Sequence, residues 1–134
     1  MELGVLLELA ASQQASDLFL KAGVSPALRV NGRIAPTEFA PLNGEEVRQL
    51  AYSIMTPQQI ARFEQRHEAD LAFTREGLAR FRANVYQQRG HTGMVLRLIP
   101  LELPSLDDLG MPPVLKELPK QRQGLILVTG PTGS

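Results

Sequence analysis

The chain has 134 residues, which is enough for one domain with a core of its own and leaves room only for the start of a second. Its 14 Lys and Arg balance 14 Asp and Glu, so no net charge attracts it to nucleic acid or to an anionic membrane. The lack of cysteine excludes disulfides and thiolate zinc sites. No stretch is long or apolar enough for a signal peptide or a membrane span, so the simplest interpretation is a cytosolic protein.

The first part of the chain predicts a helix, a strand and a tight hairpin. Residues 2–13 should form an amphipathic helix, because apolar side chains recur there at helical spacing: Leu3, Leu6, Leu7 and Ala10. Residues 16–21 favour a strand. Asn31 and Gly32 both tolerate positive φ and lie between the pairs Arg29-Val30 and Arg33-Ile34, so they predict the turn of a β-hairpin.

Two further helices are predicted from their capping signals. Asn43 is followed by Glu46, and Thr56 by Gln59, which is the spacing of a capping box. Pro57 also suits the first helical position, because the N–H that it lacks would have no partner there. Each capping box is followed by apolar residues at helical spacing, so both helices should pack one face against a core.

The following segments predict strands. Leu71 and Phe73 indicate one strand, and residues 79–86 alternate apolar and polar side chains along a longer one. Residues 94–99 carry apolar side chains on both faces, which favours a more central position in the sheet. Residues 1–100 are therefore expected to form an α+β domain with an antiparallel sheet and helices on one side.

The remaining residues suggest a linker and the beginning of a second domain. Residues 101–123 are rich in proline and contain a short capped segment at 105–108, as expected for an interdomain linker with a small helix. The unbroken apolar run 125–128 is typical of a strand buried on both faces of a parallel sheet. Residues 124–134 would then start a second domain, and residues 130–134 match the opening of a phosphate-binding loop. An ordinary turn is the alternative interpretation of those five residues.

An arginine cluster is the main candidate site within the first domain. Four arginines and no acid lie between positions 79 and 100: Arg80, Arg82, Arg89 and Arg97. Arg80 and Arg82 share one strand face, and Arg97 lies on the returning strand, so the hairpin can bring their guanidiniums together. Such a cluster suits the binding of phosphate. The alternative is a solvated face whose arginines pair with carboxylates such as Asp70 or Glu68.

Other polar residues receive structural interpretations. His67 and His91 have no second ligand at metal-binding spacing, so no metal site is predicted. We interpret the acidic group of Glu64, Glu68 and Asp70 as a solvated edge. Asp17 lies at the entry to the first strand, where a cap or turn role is expected.

Five segments, taken together and in order, resemble the type IV pilus retraction ATPases of the PilT/PilU family. They are Ala15-Ser-Asp-Leu-Phe-Leu20, Pro26-Ala-Leu-Arg-Val-Asn-Gly-Arg33, Gly77-Leu-Ala-Arg-Phe-Arg-Ala-Asn-Val-Tyr86, Gly93-Met-Val-Leu-Arg-Leu-Ile-Pro100 and Gly124-Leu-Ile-Leu-Val-Thr-Gly-Pro-Thr-Gly-Ser134. The resemblance implies a PAS-like N-terminal domain, a flexible linker and the first strand of a RecA-like ATPase domain cut within its Walker A motif. It also implies a parent protein that hydrolyses ATP with Mg²⁺ to power pilus retraction and twitching motility.

The resemblance further implies partners and a location. The parent would be a homohexamer in the cytoplasm, peripheral to the inner-membrane base of the pilus machine. Its partners would be a platform protein in that membrane and a paralogous retraction ATPase, with no nucleic acid. The Phe19 position and the motif of residues 93–97 lean toward the accessory, PilU-like branch.

The resemblance also implies roles for individual residues, through the motifs in which they lie. Phe81-Arg82-Ala-Asn and Val95-Leu96-Arg97-Leu correspond to the segments whose arginines reach the phosphates of ATP, which implies catalytic roles for Arg82 and Arg97. Arg80 would be a supporting or surface residue. The beginning of the nucleotide site would comprise Gly130, Pro131, Thr132, Gly133 and Ser134. Because the rest of that site lies outside these residues, the chain alone is expected neither to hydrolyse ATP nor to bind ATP or Mg²⁺ tightly.

Two alternatives remain open at this point. One is another branch of the secretion ATPase superfamily, a pilus-assembly or type II secretion ATPase. The other is a free-standing PAS-like sensory module that binds an anionic ligand on its arginine face. Single-stranded nucleic acid fits that face poorly, because aromatic residues make up only 5% of the chain.

Overall fold

The computed structural model describes residues 1–131, which separate into one unit from Met1 to Leu101 and a second that starts at Glu102. The helices and strands, in chain order, are α1 Leu3–Ser12, β1 Asp17–Leu20, β2 Ala27–Val30, β3 Arg33–Pro36, α2 Gly44–Tyr52, α3 Pro57–Arg66, β4 Glu68–Arg75, β5 Ala79–Gln88, β6 His91–Ile99 and α4 Val114–Glu117. A single 3-10 turn at Leu118–Lys120 follows α4. Within these residues no helix has the length and apolar character needed to cross a lipid bilayer.

The first unit is built on one six-stranded antiparallel sheet. Its strand order is β3-β2-β1-β6-β5-β4, so β1 and β6 pair at the centre although most of the unit separates them in sequence. This arrangement confirms the predicted α+β class, the antiparallel sheet and the central position of the last strand. The pairing of β1 with β6 also brings the two ends of the unit together, which matters for the site described below.

The core lies on one face of the sheet, beneath the helices. Helix α1 packs against β1, α2 against β6 and α3 against β4. The largest fully buried side chains of the strands and helices come from alternate strand positions and from the inner helix faces: Leu6, Leu7, Leu18, Leu20, Val47, Phe81, Val85, Met94 and Leu96. Because side chains alternate across a strand, the residues between these positions project from the opposite face of the sheet, which we call the outer face.

Capping boxes define the N-terminal ends of α2 and α3. The Asn43 side chain accepts a 2.9 Å hydrogen bond from the Glu46 backbone N–H, and the Glu46 carboxylate accepts one of 2.7 Å from the Asn43 N–H. Thr56 and Gln59 make the same reciprocal pair at the start of α3, at 3.2 and 2.9 Å. Both predicted capping boxes are therefore confirmed, and each satisfies helix N–H groups that have no partner within the helix.

The predicted hairpin turn is also confirmed. Asn31 and Gly32 connect β2 and β3 with φ values of 49° and 79°. A two-residue turn with positive φ at both positions matches the right-handed twist of the strands that it joins. Arg89 and Gly90 adopt the same kind of turn between β5 and β6, with φ values of 51° and 78°.

The second unit differs from its prediction in two respects. The short helix lies at Val114–Glu117, whereas Ser105–Asp108 forms a capped turn in which Asp108 accepts hydrogen bonds from the Ser105 hydroxyl and backbone N–H. Residues 125–128 were predicted to be a buried strand, but they have no regular structure, and Leu125 and Val128 are exposed. That prediction is wrong for this chain, because a strand of a parallel sheet needs neighbouring strands to pair with, and residues 102–131 contain no strand.

Candidate anion-binding site

Four charged side chains form a row across the outer face of the sheet, one from each of four neighbouring strands. In the strand register, Asp17 of β1 lies opposite Arg29 of β2 on one side and opposite Arg97 of β6 on the other. Arg97 in turn lies opposite Arg82 of β5. We call Arg29, Asp17, Arg97 and Arg82 the arginine row. Residues directly opposite each other in neighbouring strands have Cβ atoms about 5 Å apart, so the four side chains are close neighbours.

Alternation along the strands explains why these residues share a face. Leu18, Leu28 and Leu96, which each neighbour a member of the row, are buried in the core on the other side of the sheet. Phe81 and Ala83 flank Arg82 in the same way. The burial of these apolar neighbours fixes the strand faces, and a shift in register by one residue would exchange the row with the core.

Asp17 is the buried centre of the row. Only 7% of its side chain is exposed, and it accepts a 2.8 Å hydrogen bond from the Ser16 hydroxyl. Its Oδ1 lies 3.3 Å from Nε of Arg97, and its Oδ2 lies 3.7 Å from Nε of Arg29. The interpretation of Asp17 as a cap or turn residue is therefore wrong. A carboxylate so far removed from water needs cationic partners, and here it has one on each side.

Arg29 closes one end of the row. Its guanidinium lies over the ring of Phe19, 5.5 Å from the ring centre, where a cation is attracted by the aromatic face. Its Nε is buried and makes no hydrogen bond within the described residues. The ring and the Asp17 carboxylate thus hold Arg29 from two directions.

Arg97 and Arg82 form the open end of the row. The side chain of Arg97 is 68% exposed although its Nε contacts Asp17. Arg82 and Arg80 are exposed, and neither makes an ion pair within residues 1–131. Like charges that face each other across strands repel, so the pairing of Arg82 with Arg97 is more favourable when an anion lies between or above them.

The carboxylates suggested as alternative partners are engaged elsewhere. Asn84 donates hydrogen bonds to Glu68 at 3.4 Å and to Asp70 at 3.1 Å, on the other side of β5 from Arg97. No acid lies near the arginines in sequence, but the fold brings Asp17, which is 80 residues from Arg97, into contact with that arginine. The row contains three arginines and one aspartate, so it remains positively charged.

The histidines lie apart from the row, in a separate cleft of about 530 Å³ beside α2 and α3. His67 caps the C-terminal end of α3 with a φ of 60°. His91 packs so closely on Gly44 that a Cβ added to Gly44 would lie 2.6 Å from Nδ1 of His91. In this cleft Tyr52 donates a 3.1 Å hydrogen bond to Glu64, and burial raises the pKa of the Tyr52 hydroxyl. Within the described part of the chain no three His, Cys, Asp or Glu side chains are grouped so that they could hold a metal ion.

The predicted phosphate loop is only partly within the described residues. Gly130 and Pro131 are exposed and have no regular structure, whereas Thr132, Gly133 and Ser134 lie outside residues 1–131. The nucleotide-binding role of these five residues therefore stays a prediction.

The first unit is thus an α+β domain whose outer face carries a positively charged row, and comparisons with known proteins identify its relatives. No family model matches the chain. Over all 134 residues it is 40% identical to the type IV pilus ATPase PilU and 42% identical to the type IV pilus retraction ATPase PilT, both of Pseudomonas aeruginosa. A crystal structure of the pilus retraction motor PilT with bound ADP matches the whole chain with a TM-score of 0.81 and 40% identity, and 39% of that chain is covered.

The chain is homologous to the type IV pilus ATPases PilU and PilT, as its motifs indicated. It spans 35% of the length of the PilU relative and 39% of that of the PilT relative. The two identities are too close to distinguish the accessory from the principal branch.

Proposed function

We propose that this chain is the N-terminal, PAS-like part of an ATP-driven motor that retracts type IV pili and supports twitching motility. The motor would act as a homohexamer in the cytoplasm, at the inner-membrane base of the pilus machine, with a membrane platform protein and a paralogous retraction ATPase as partners. Similarity to PilU and PilT along the whole chain supports the proposal. It also favours the retraction branch over a pilus-assembly or type II secretion ATPase.

The arginine row is the observation that connects this domain with ATP. Arg97 and Arg82 would contact the phosphates of ATP held by the RecA-like ATPase domain, whose nucleotide site would begin with Gly130, Pro131, Thr132, Gly133 and Ser134. When water attacks the γ-phosphate, negative charge spreads over its oxygens, and guanidiniums held in place stabilise that charge. Mg²⁺ would accompany ATP at the phosphate loop, since a positively charged row does not attract a cation.

The geometry suits this role in three respects. The two arginines lie opposite each other on paired strands, so their positions are set by backbone hydrogen bonds of the sheet. Their side chains are exposed on the outer face and can be reached by a ligand. Arginine offers several N–H donors in a fixed plane, which match the oxygens of a phosphate group.

Alanine substitutions in the full-length protein test the proposal. We expect Arg97→Ala and Arg82→Ala each to lower kcat for ATP hydrolysis by about 10²-fold to 10³-fold, the usual effect of losing one donor to a developing charge. Arg62→Ala is a matched control, because Arg62 is an exposed arginine on α3 without an ion pair within residues 1–131. Circular dichroism would show that the fold is kept, and normal turnover in both row variants would contradict the proposed role.

The arginine row also supports a second candidate, a free-standing module that binds an anionic ligand. Titration of the 134-residue chain with MgATP and with short oligonucleotides separates the two. Under the motor proposal the chain alone hydrolyses no ATP and binds it weakly, whereas micromolar binding would favour the module.

A further inference from the structure

We propose that Asp17 is a positioning residue for Arg97, which holds the guanidinium of that arginine ready for the phosphates of ATP. The inference rests on the proposed function, because it assigns a task to Asp17 only if Arg97 contacts an anion. It concerns a residue whose role the sequence did not reveal, since the two side chains are 80 positions apart.

The first observation is the nitrogen through which the contact is made. Arg97 donates to Asp17 through Nε, at 3.3 Å, and its terminal nitrogens make no hydrogen bond or ion pair within residues 1–131. The terminal nitrogens are the ones best placed to form a fork with phosphate oxygens. The carboxylate thus restrains the base of the guanidinium plane and leaves the outer donors for a ligand.

The second observation is the rigidity of Asp17 itself. Its side chain is 7% exposed, whereas that of Arg97 is 68% exposed, so the acid is the fixed partner of the pair. The Ser16 hydroxyl binds Oδ2 at 2.8 Å, and Ser16 is held by backbone hydrogen bonds, its N–H to Arg29 and its carbonyl to Leu98. A restrained carboxylate can orient a long side chain that solvent would otherwise leave in many rotamers.

The third observation is the balance of charge along the row. Asp17 separates Arg29 from Arg97, and Arg97 faces Arg82 with no acid between them in the register. Without the charge of Asp17, the row would hold three cations and no acid, and we expect that Arg97 would turn away from Arg82 into solvent. Asp17 neutralises only one charge, so the open end stays attractive to an anion.

The test compares Asp17→Asn, Arg97→Ala and the double variant in the full-length protein, with kcat and KM for MgATP as readouts. Asparagine keeps the shape and loses the charge. Asp70→Asn is the matched control, because Asp70 lies on the outer face of β4 and accepts a hydrogen bond from Asn84 and none from an arginine. We expect Asp17→Asn to lower kcat/KM by about 10-fold to 100-fold through misplacement of Arg97, and Asp70→Asn to change it less than about 2-fold.

The double variant distinguishes positioning from a general structural role. If Asp17 acts through Arg97, adding Asp17→Asn to Arg97→Ala should lower kcat/KM no further. An equal loss in both backgrounds would overturn the inference. If Arg97→Ala is impaired and Asp17→Asn is fully active, the positioning role fails while the proposed function stands. If Arg97→Ala is fully active, the proposed function itself fails, and the inference with it.

A measurement on the unaltered 134-residue chain keeps the inference testable should Asp17→Asn fail to fold. The Nε–H proton of Arg97, observed by nitrogen-15 NMR, should exchange with water at least about 5-fold more slowly than that of Arg80. Arg80 is an exposed arginine of the same outer face without an ion pair within the described residues. Equal exchange at the two arginines would show that the contact is not maintained in solution and would overturn the proposal.

Discussion

Replacing Phe81 by alanine should remove a large part of the stability of the first unit, whereas replacing its neighbour Arg82 should remove little. Phe81 is fully buried on the helix-covered face of the sheet. Its ring stacks on that of Phe73, with ring centres 5.2 Å apart and an angle of 19° between the planes. Arg82 is exposed on the outer face and has no ion pair within residues 1–131. The two substitutions therefore test the assignment of strand faces on which the arginine row depends.

The magnitudes follow from burial. Truncation of a buried phenylalanine to alanine costs about 3–5 kcal/mol, through lost transfer free energy and the cavity left behind. The loss of a stacked aromatic partner, worth about 0.5–1.5 kcal/mol, favours the upper half of that range. Domains of this kind are stable by about 5–15 kcal/mol, so Phe81→Ala should remove roughly a quarter or more of the free energy of unfolding. Arg82→Ala should stay within about 0.5 kcal/mol.

Urea denaturation of the 134-residue chain, followed by far-UV circular dichroism, measures both effects in one experiment. Phe73→Ala is the matched control, since Phe73 is only partly buried against the same core and should lose less than Phe81→Ala. A loss below about 1 kcal/mol for Phe81→Ala, or an equal loss for Arg82→Ala, would refute the assignment of faces.

Two further predictions concern a helix cap and the effect of pH. Asn43→Ala should destabilise the first unit by about 1 kcal/mol in the same denaturation experiment, because it removes the capping box of α2. Glu2→Ala is the control and should change the stability little, because Glu2 makes no side-chain cap at the start of α1, and equal effects of the two substitutions would contradict the capping argument. In the second unit, hydrogen bonds from the Ser105 side chain and backbone lower the pKa of the Asp108 carboxyl. The capped turn should therefore be fully formed above the ordinary carboxyl pKa and should be lost as the pH falls through the lowered pKa of Asp108. An NMR titration of the Ser105 amide measures this, and a midpoint at or above the ordinary pKa of an aspartate would contradict the prediction.

Much of the first unit could be predicted because its signals are local. The two capping boxes and the hairpin turn depend on residues within a few positions of one another, and each formed as expected. The alternation along residues 79–86 was equally local and gave the correct buried face. The opposition of Arg82 and Arg97 followed from one hairpin, because a tight turn fixes the register of the strands that it connects.

The features that escaped prediction depend on distant parts of the chain. Asp17 meets Arg97 only through the pairing of β1 with β6, and nothing near Asp17 in sequence indicates that pairing. The prediction of a strand at residues 125–128 failed for the same physical reason, since a buried strand exists only where other elements cover it. Local sequence thus identified the arginines, while tertiary pairing decides which acid they meet.

The most direct test of the central claim is a structure of the full-length protein with bound MgADP or a non-hydrolysable ATP analogue. We predict that the guanidiniums of Arg97 and Arg82 lie at hydrogen-bond distance, about 2.8 Å, from phosphate oxygens, with Asp17 still in contact with Nε of Arg97. Phosphates bound with neither arginine in reach would contradict the assignment of the arginine row to ATP.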